Sequence, residues 1–227
     1  MPRIILIETS TALCSTAVCD ASGIVCSRRS DEPRAHASKT AVFVQEMLAE
    51  CGWKVSDCDA VCVSKGPGSY TGLRVGVSTA KGLCFGADIP LLAVSTPEIL
   101  VRQAIEGGNL PEGCTAIMPV IDARRMEVYT ALFGPDGNQH GEIAPVIIEE
   151  GSFASAFDEG PVLIIGDAAD KCRILPAAAF LQTCPDATAM RVPALKRFAA
   201  GAFEDPAYFE PLYIKQFVAT VSRKKLF

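Results

Sequence analysis

An α/β fold with two similar lobes is predicted by three features of the sequence. Short apolar strands alternate with helices in the first half, in the order βββαβαβ. The second half opens with the same strand and hairpin pattern. Matching positions recur at a fixed offset: Glu8 and Asp122 end an apolar first strand, Gly23 and Gly137 close a hairpin turn, and each pair is 114 residues apart in a chain of 227. The pattern predicts the duplicated ribonuclease-H-like (ASKHA) architecture of actin, Hsp70 and sugar kinases.

The first lobe is expected over residues 1–105. Its strands are predicted at Arg3–Glu8, Cys14–Cys19, Gly23–Arg28, Ala60–Ser64 and Leu91–Val94. Its two helices are predicted at Ser38–Cys51 and Thr71–Phe85. Ser38 can cap the first of these helices, and Gly52 can end it in the left-handed conformation.

The second lobe is expected over residues 106–227, after a boundary rich in Gly and Pro at 105–113. Its strands are predicted at Ala116–Asp122, Glu127–Phe133, Ile143–Glu149 and Pro161–Ile165, with a short helix at Ser152–Phe157. The sequence Gly134-Pro-Asp-Gly137 has the chemistry of a tight turn, since Pro presets φ and Gly permits positive φ.

The composition is that of a folded protein without a general affinity for nucleic acid. Apolar residues make up 49% and charged residues 21% of the chain. The net charge of −5 gives no global attraction to phosphate backbones, so any contact with RNA needs a local patch or a partner. The apolar run Ile4–Ile7 is too short for a signal peptide, and no run approaches the ~20 residues that span a bilayer. We expect a cytoplasmic protein without membrane contact.

The placement of cysteine and histidine argues against metal chemistry. The ten cysteines include no CxxC pair, and several stand in apolar runs such as Asp59–Val63, so reduced core cysteines are the favoured interpretation. The two histidines, His36 and His140, are 104 residues apart, which excludes an HExxH metalloprotease site and gives no support for a Ser/His/Asp triad. No metal or other cofactor is expected.

The segment Lys65–Gly82 is the most specific in the chain and runs from a strand through a glycine-rich loop into a helix. Its spacing does not fit a P-loop. Gly72, Gly76 and Ala80 recur every four residues. Because each interior glycine costs a helix about 1 kcal/mol, close packing must offset the loss. The close neighbour is either this chain's own sheet or a helix of another chain.

The first predicted helix, Ser38–Cys51, is apolar over a wide arc. One stripe and its flanks hold the apolar side chains Ala41, Val42, Phe43, Val44, Met47, Leu48 and Cys51. Such an arc is wider than one packing face needs. The helix is therefore either fully internal, or packed on the home sheet on one side and on a partner on the other.

Three turns stand where the duplicated fold would hold a nucleotide, but their chemistry is incomplete. Glu8 begins the first turn, where a carboxylate can hold a magnesium-bound water. The matching turn, Asp122–Arg125, carries arginines where small residues are usual, and the later turn Ile165–Ala169 has one glycine instead of two. The candidate residues of this vestigial site are Glu8, Thr9, Ser10, Asp122 and Arg124.

Several segments together resemble the TsaB (YeaZ) family. They are Ile7–Thr11, Ser64–Val77 with Ala80–Gly82, Asp122–Arg124 with Glu127–Tyr129, Ser95–Thr96, and Glu210–Tyr213. The resemblance spans almost the whole chain, and the glycine-rich segment is its most specific part. The second lobe is rich in Ala and Pro and carries few clear family matches.

The resemblance implies a role in bacterial tRNA modification. Members of the family are inactive paralogues of the catalytic subunit TsaD. With TsaD and the ATPase TsaE, they support transfer of a threonylcarbamoyl group to the adenosine next to the anticodon. The resemblance thus implies a non-catalytic scaffold without a cofactor, with ATP on the partner subunits and tRNA contacted only indirectly. A homodimer is expected as the alternative when the partner is absent.

The resemblance also implies that the heterodimer forms through the first two helices of the first lobe. The residues expected to contact the partner are Ala41, Phe43, Val44, Met47, Leu48, Thr71, Gly72, Val75, Gly76, Thr79, Ala80 and Leu83. The basic tail Ser222–Phe227 either is solvated or touches phosphate.

The alternative hypothesis is an enzyme of the same fold. It would be a small ATP-dependent kinase or ATPase that uses Glu8 with Lys65 or Lys81. A protease is a weaker third hypothesis, because the two separated histidines support neither a metal pair nor a triad.

Overall fold

The computed structural model describes residues 1–215 and contains two five-stranded sheets, one in each lobe. The strands of the first lobe are β1 (Ile4–Glu8), β2 (Cys14–Cys19), β3 (Ile24–Ser30), β4 (Ala60–Gly66) and β5 (Leu91–Ser95). Those of the second are β6 (Ala116–Asp122), β7 (Glu127–Phe133), β8 (Gln139–Ile147), β9 (Val162–Gly166) and β10 (Ala179–Gln182).

The two sheets have the same topology. The first has the order β3-β2-β1-β4-β5 and the second the order β8-β7-β6-β9-β10. In each, the first strand pairs antiparallel with the second and parallel with the fourth. The predicted hairpin turn at 134–137 is also present, with Gly137 at φ 84°. The duplicated two-lobe fold predicted from the 114-residue offset is therefore confirmed.

Helix α1 (Ala35–Cys51) starts three residues before the predicted cap. Arg34, at φ 64°, precedes the helix, and Ser38 lies inside its first turns, where its hydroxyl donates to the Ala35 carbonyl at 3.2 Å. The prediction that Ser38 caps the helix is therefore wrong. The predicted end is confirmed, since Gly52 adopts φ 67° and its N–H donates to Ala49.

Helix α2 (Tyr70–Ala87) begins at Ser69, whose hydroxyl accepts a hydrogen bond from the Gly72 N–H. Its buried face packs beside α1 on one side of the first sheet. Apolar residues of the two helices form one cluster with strands β1 and β4 there: Ile5, Ile7, Val44, Met47, Leu48, Val61, Val63, Val77, Ala80 and Cys84.

The glycine face of α2 packs on the chain's own turn between β1 and β2. A Cβ added at Gly72 would overlap the Thr9 carbonyl oxygen, and one added at Gly76 would overlap the Thr9 hydroxyl. Just before the helix, a Cβ at Gly68 would overlap the Ser10 carbonyl oxygen. The sequence left two possible neighbours for these glycines, the chain's own sheet or a helix of another chain. The structure shows that they approach the chain's own sheet.

Helix α3 (Thr96–Glu106) lies between the two sheets and was not predicted. Ile99 packs in the core of the first lobe, while Leu100 and Val101 pack with strands of the second. Its polar residues Glu98, Arg102 and Glu106 recur every four positions, which is a helical period that sequence reasoning missed. Its start was a second local signal: Ser95 caps the Glu98 N–H, and a proline occupies the first turn.

The chain returns to the first lobe after β10. A short 3₁₀ turn (Ala187–Met190) and helix α5 (Arg191–Ala199) pack on the face of the first sheet opposite α1 and α2. Further on, the Leu212 N–H donates to Lys65 O at 2.7 Å. The predicted division at residue 105 thus separates the two sheets, but residues 187–212 pack with the first, whereas Lys215 contacts Ala123 and Glu127 of the second lobe. A short helix, α4 (Ala154–Asp158), precedes β9.

None of the helices in residues 1–215 combines the length and the apolar character needed to cross a bilayer.

Two alanine substitutions in α2 separate close packing from helix propensity. We expect Gly72→Ala to lower the free energy of unfolding by about 2–3 kcal/mol, because the new methyl group overlaps a backbone oxygen in the core. Gly82 has no atom within 4 Å of an added Cβ, so Gly82→Ala should instead raise stability by up to about 1 kcal/mol. Urea unfolding measures the free energy of unfolding of both variants. Equal changes in Gly72→Ala and Gly82→Ala would contradict the close packing at Gly72.

Candidate functional site

The first predicted nucleotide turn is enclosed by the glycine-rich loop. Glu8, Thr9 and Ser10 are fully buried. The Ser69 N–H donates to Ser10 O at 2.6 Å, and the Thr9 hydroxyl donates to Gly72 O at 2.9 Å. These two bonds tie the turn to the start of α2, where a phosphate group would have to enter.

The Glu8 carboxyl group is fully buried beside Ser10 and Ser64. Its Oε1 accepts the Ser10 N–H at 2.5 Å. Burial raises the pKa of Glu8 to about 7, and hydrogen bonds from Ser10 and Ser64 offset only part of that rise. The charge of Asp186 raises the pKa slightly further. Glu8 is thus largely protonated in mildly acidic solution and is unsuited to hold a magnesium-bound water at the surface.

The corresponding turn of the second lobe is open. Asp122 is exposed, accepts the Arg124 N–H at 2.6 Å and forms an ion pair with Lys171. Arg124 and Arg125 both have positive φ, at 72° and 54°. The predicted residues Asp122 and Arg124 therefore lie together, but in a different lobe from the buried Glu8 turn.

A second carboxyl group, Asp167, joins this turn from the end of β9. It accepts the Asp122 N–H at 3.0 Å. Burial and the nearby Asp122 charge raise the pKa of Asp167 to about 6, although Lys171 opposes this. For Asp122, burial also favours the neutral form, but hydrogen bonds from Lys171 and Arg124 dominate and its pKa is lowered. Across residues 1–215, no group of three or more His, Cys, Asp or Glu residues is arranged to hold a metal.

The geometry gives little to the enzyme hypotheses. Lys65 lies at the end of β4 beside the enclosed turn, whereas Lys81 is on α2. His36 lies in α1 and His140 on β8, in different lobes. The protease hypothesis thus has no histidine pair, and the kinase hypothesis has its principal carboxylate buried.

Half of the predicted partner residues belong to the core instead. The structure buries Val44, Met47, Leu48, Gly72, Gly76 and Ala80. Four of them pack in the cluster beneath α1 and α2, and the two glycines meet the β1–β2 turn. This corrects the expectation for these six residues, because a helix that rests on a sheet must turn its most apolar stripe inward.

The other half of the predicted set remains accessible on α1 and α2. Ala41 and Thr71 are exposed, and Phe43, Val75, Thr79 and Leu83 are half-buried. On α2 the accessible positions continue with helical spacing through Ser78 and Gly82 to Phe85, whose side chain is 91% exposed. We call the accessible residues Ala41, Val42, Phe43, Thr71, Val75, Ser78, Thr79, Gly82, Leu83 and Phe85 the outer helix surface.

Two apolar residues of the outer helix surface were missed by sequence reasoning. Val42 is 44% exposed, and Phe85 is the most exposed aromatic residue of the described chain. Phe85 follows Ser78 and Gly82 at helical spacing, so the period that identified Thr71 and Val75 also contained it.

A C-terminal contact borders this surface and was also missed. The Tyr213 ring lies 5.1 Å from the Tyr70 ring at the start of α2, and its hydroxyl accepts a hydrogen bond from Arg74 at 3.2 Å. The Arg74 guanidinium stacks over Tyr70 at 4.0 Å. Because 139 residues separate Arg74 from Tyr213, no local pattern could reveal this contact.

Comparison with known proteins assigns the family. A family model described as "TsaD: tRNA N6-adenosine threonylcarbamoyltransferase" matches residues 23–152, more than half of the chain. The tRNA threonylcarbamoyladenosine biosynthesis protein TsaB of Escherichia coli is 36% identical over 149 residues, which are 65% of this chain and 62% of that protein. The chain belongs to the TsaB (YeaZ) family.

A second relative and a solved structure agree with this assignment. The TsaB protein of Bacillus subtilis is 40% identical over 98 residues, 43% of this chain and 40% of that one. Both alignments thus span less than two-thirds of the relative's length. The structure of YeaZ from Pseudomonas aeruginosa has a TM-score of 0.80 at 26% identity and covers 94% of this chain and 100% of that one. The agreement therefore extends over both lobes.

The burial of Glu8 predicts a specific pH dependence. The pKa of Glu8 lies near 7 in the folded protein against 4.5 ordinarily, so the unfolded chain loses this proton first as pH rises. Wild-type stability should therefore fall by about 3 kcal/mol from this group between pH 4.5 and pH 8. In Glu8→Gln, the neutral side-chain amide still accepts a hydrogen bond from the Ser10 N–H but does not titrate. The fall in stability with rising pH that Glu8 causes should therefore be absent from this variant.

Urea unfolding at a series of pH values measures this slope. Glu50 is the matched control, because it is exposed and its pKa is lowered through its hydrogen bond with Arg28. Glu50→Gln should keep the wild-type decline of stability above pH 5. Parallel pH profiles for wild type and Glu8→Gln would contradict the assignment of the slope to Glu8.

Proposed function

We propose that this chain is a non-catalytic subunit of tRNA threonylcarbamoyladenosine biosynthesis, acting in the cytoplasm. Its relatives in Escherichia coli and Bacillus subtilis are named for that pathway. The matching family model is described as the threonylcarbamoyltransferase TsaD, and a 62-residue stretch is 45% identical to that enzyme from Paracoccus denitrificans. A paralogue of a transferase is a natural partner for it, since related folds can pair through the same elements.

The outer helix surface is the proposed site for a TsaD-like catalytic subunit. The observation that carries this proposal is Phe85, an aromatic side chain left 91% exposed on the helix that also packs the core. Val42 on the adjacent helix adds a second apolar side chain. An aromatic residue with aliphatic neighbours is the usual anchor of a protein–protein contact.

The enclosed first turn supports the absence of catalysis in this subunit. In a nucleotide-clamping fold the turn after the first strand must be open to phosphate. Here Thr9 and Ser10 are buried beneath the start of α2, and the Thr9 hydroxyl and the Ser10 carbonyl are hydrogen-bonded to Gly72 and Ser69. The nucleotide would then reside on partners, a TsaD-like subunit and a TsaE-like ATPase.

The proposed contribution to the reaction is conformational. When the catalytic subunit binds α1 and α2, its conformational equilibrium can shift toward its active state. The shift is limited by how much more favourable its contacts with this chain are in the active state than in the inactive one. Contact with tRNA would be indirect. The basic tail Ser222–Phe227, the candidate for a direct contact, lies outside the described residues.

A serine substitution tests the surface. Phe85→Ser should weaken binding to the TsaD-like subunit of the same organism by about 30-fold or more, because it removes an apolar anchor. Ile147→Ser is the matched control: Ile147 is 60% exposed but lies on β8 in the second lobe, and its loss should leave the affinity unchanged. Titration calorimetry gives both dissociation constants.

If wild type and Phe85→Ser bind the TsaD-like subunit with equal affinity and Ile147→Ser binds it more weakly, the interface lies on the second lobe and the proposal is contradicted. The isolated chain should be measured by light scattering alongside. If it dimerises through the outer helix surface, Phe85→Ser should also shift it toward the monomer.

Calorimetry with Mg-ATP on the isolated protein separates the scaffold from the kinase hypothesis. We expect no binding tighter than millimolar, because the first turn is filled by the chain's own loop. Micromolar affinity with hydrolysis lost in Glu8→Gln would instead favour the enzyme.

A further inference from the structure

An arginine near the start of α2 is held by two tyrosine side chains at the edge of the outer helix surface. The Arg74 guanidinium stacks over the Tyr70 ring, with 4.0 Å between the guanidinium carbon and the ring centroid. Its Nε donates a hydrogen bond to the Tyr213 hydroxyl at 3.2 Å, and the two tyrosine rings lie 5.1 Å apart. Stacking and hydrogen bonding together restrict this long side chain to few conformations.

The segment that carries Tyr213 is anchored on both sides of it. The Leu212 N–H donates to Lys65 O at 2.7 Å, and Lys215 forms an ion pair with Glu127 of the second lobe. Because the backbone is tied before and after Tyr213, the tyrosine hydroxyl is held at a fixed position beside α2. The arginine is thus oriented before any partner binds, which lowers the conformational entropy that a contact must overcome.

The Arg74 guanidinium still has hydrogen-bond donors to offer. Arg74 is exposed, and within residues 1–215 no carboxylate forms an ion pair with it. Tyr213 uses only Nε, so the two terminal nitrogens remain for another group. These nitrogens form a planar fork that binds a carboxylate through two parallel hydrogen bonds. The chemistry of the site therefore fits an acidic side chain.

Arg74 shares the outward face of α2 with the apolar part of the outer helix surface. Ser78 follows Arg74 by about one turn, and Phe85 follows Ser78 by about two. At a rise of 1.5 Å per residue, Arg74 and Phe85 are about 16 Å apart along the helix axis. A standard interface covers about 800 Å² on each partner and is about 30 Å across, so one partner can contact both side chains.

We propose that Arg74, oriented by Tyr70 and Tyr213, forms a two-hydrogen-bond ion pair with an aspartate or glutamate side chain of the TsaD-like subunit. This inference rests on the proposed function and adds the chemistry of the matching site on the partner. Tyrosine and arginine are common among the residues that dominate protein interfaces. The apolar neighbours and the net charge of −5 favour a protein carboxylate over an RNA phosphate.

Calorimetric titration with the TsaD-like subunit tests the ion pair. Arg74→Gln should bind about tenfold more weakly than wild type, because it leaves the partner's carboxylate unpaired. Arg74→Lys should also bind more weakly than wild type, since an ammonium group keeps the charge but lacks the planar fork. Arg173→Gln is the matched control and should keep the wild-type affinity. Arg173 also lies over an aromatic ring, Phe180 at 5.3 Å, and pairs with Asp170, but it belongs to the second lobe.

Salt separates the charged contact from the apolar one. The loss of affinity in Arg74→Gln should shrink between about 50 mM and about 500 mM NaCl, because an exposed ion pair is screened. The loss in Phe85→Ser should persist at both concentrations. Tyr213→Phe keeps the ring but removes the hydroxyl acceptor, so Arg74 is less well oriented and binding should weaken about two- to threefold.

Urea unfolding first establishes that each variant is folded, and Arg74→Lys decides in the same way if Arg74→Gln is not. Wild-type affinity in Arg74→Gln, with weaker binding in Phe85→Ser, would overturn this inference and leave the proposed function intact. Wild-type affinity in both variants would overturn both. Unchanged affinity for the TsaD-like subunit with a loss of self-association by light scattering would assign Arg74 to a contact with a second copy, which also overturns the inference.

Discussion

The contact between the glycine face of α2 and the turn after β1 is the constraint on which the first lobe depends. Gly72 and Gly76 bring the helix so close to Thr9 that a single methyl group has no room. The turn loses its exposure to solvent and gains hydrogen bonds to the helix start. One arrangement therefore fixes the helix position and closes the place where the duplicated fold would admit phosphate.

This close contact also determines what α2 can offer on its other side. Since its small residues point inward, the opposite face presents Val75, Leu83 and Phe85 outward beside α1. The burial of Glu8, an acid whose pKa is raised to about 7, is the electrostatic cost of sealing the turn.

The two lobes differ in spite of their common topology. The second lobe leaves its turn at Asp122 open and charged, whereas the first is covered by its own loop and helix. The lobes are also joined by more than a linker. Helix α3 contributes to both cores, and residues 187–213 return to the first lobe, with Tyr213 reaching the start of α2. The outer helix surface is thus framed by residues from both ends of the chain.

The sequence by itself determined strands β1 to β9, the duplication and the two helices of interest, because hydrophobic period and turn chemistry are local, but it did not predict β10. It also found α2's small-residue stripe and named Glu8, Thr9 and Ser10 as one turn. Only the tertiary structure decided which face of each helix points inward. It buried six of twelve predicted contact residues, exposed Phe85 and brought Tyr213 to Arg74, because such contacts join residues far apart in sequence through shared packing.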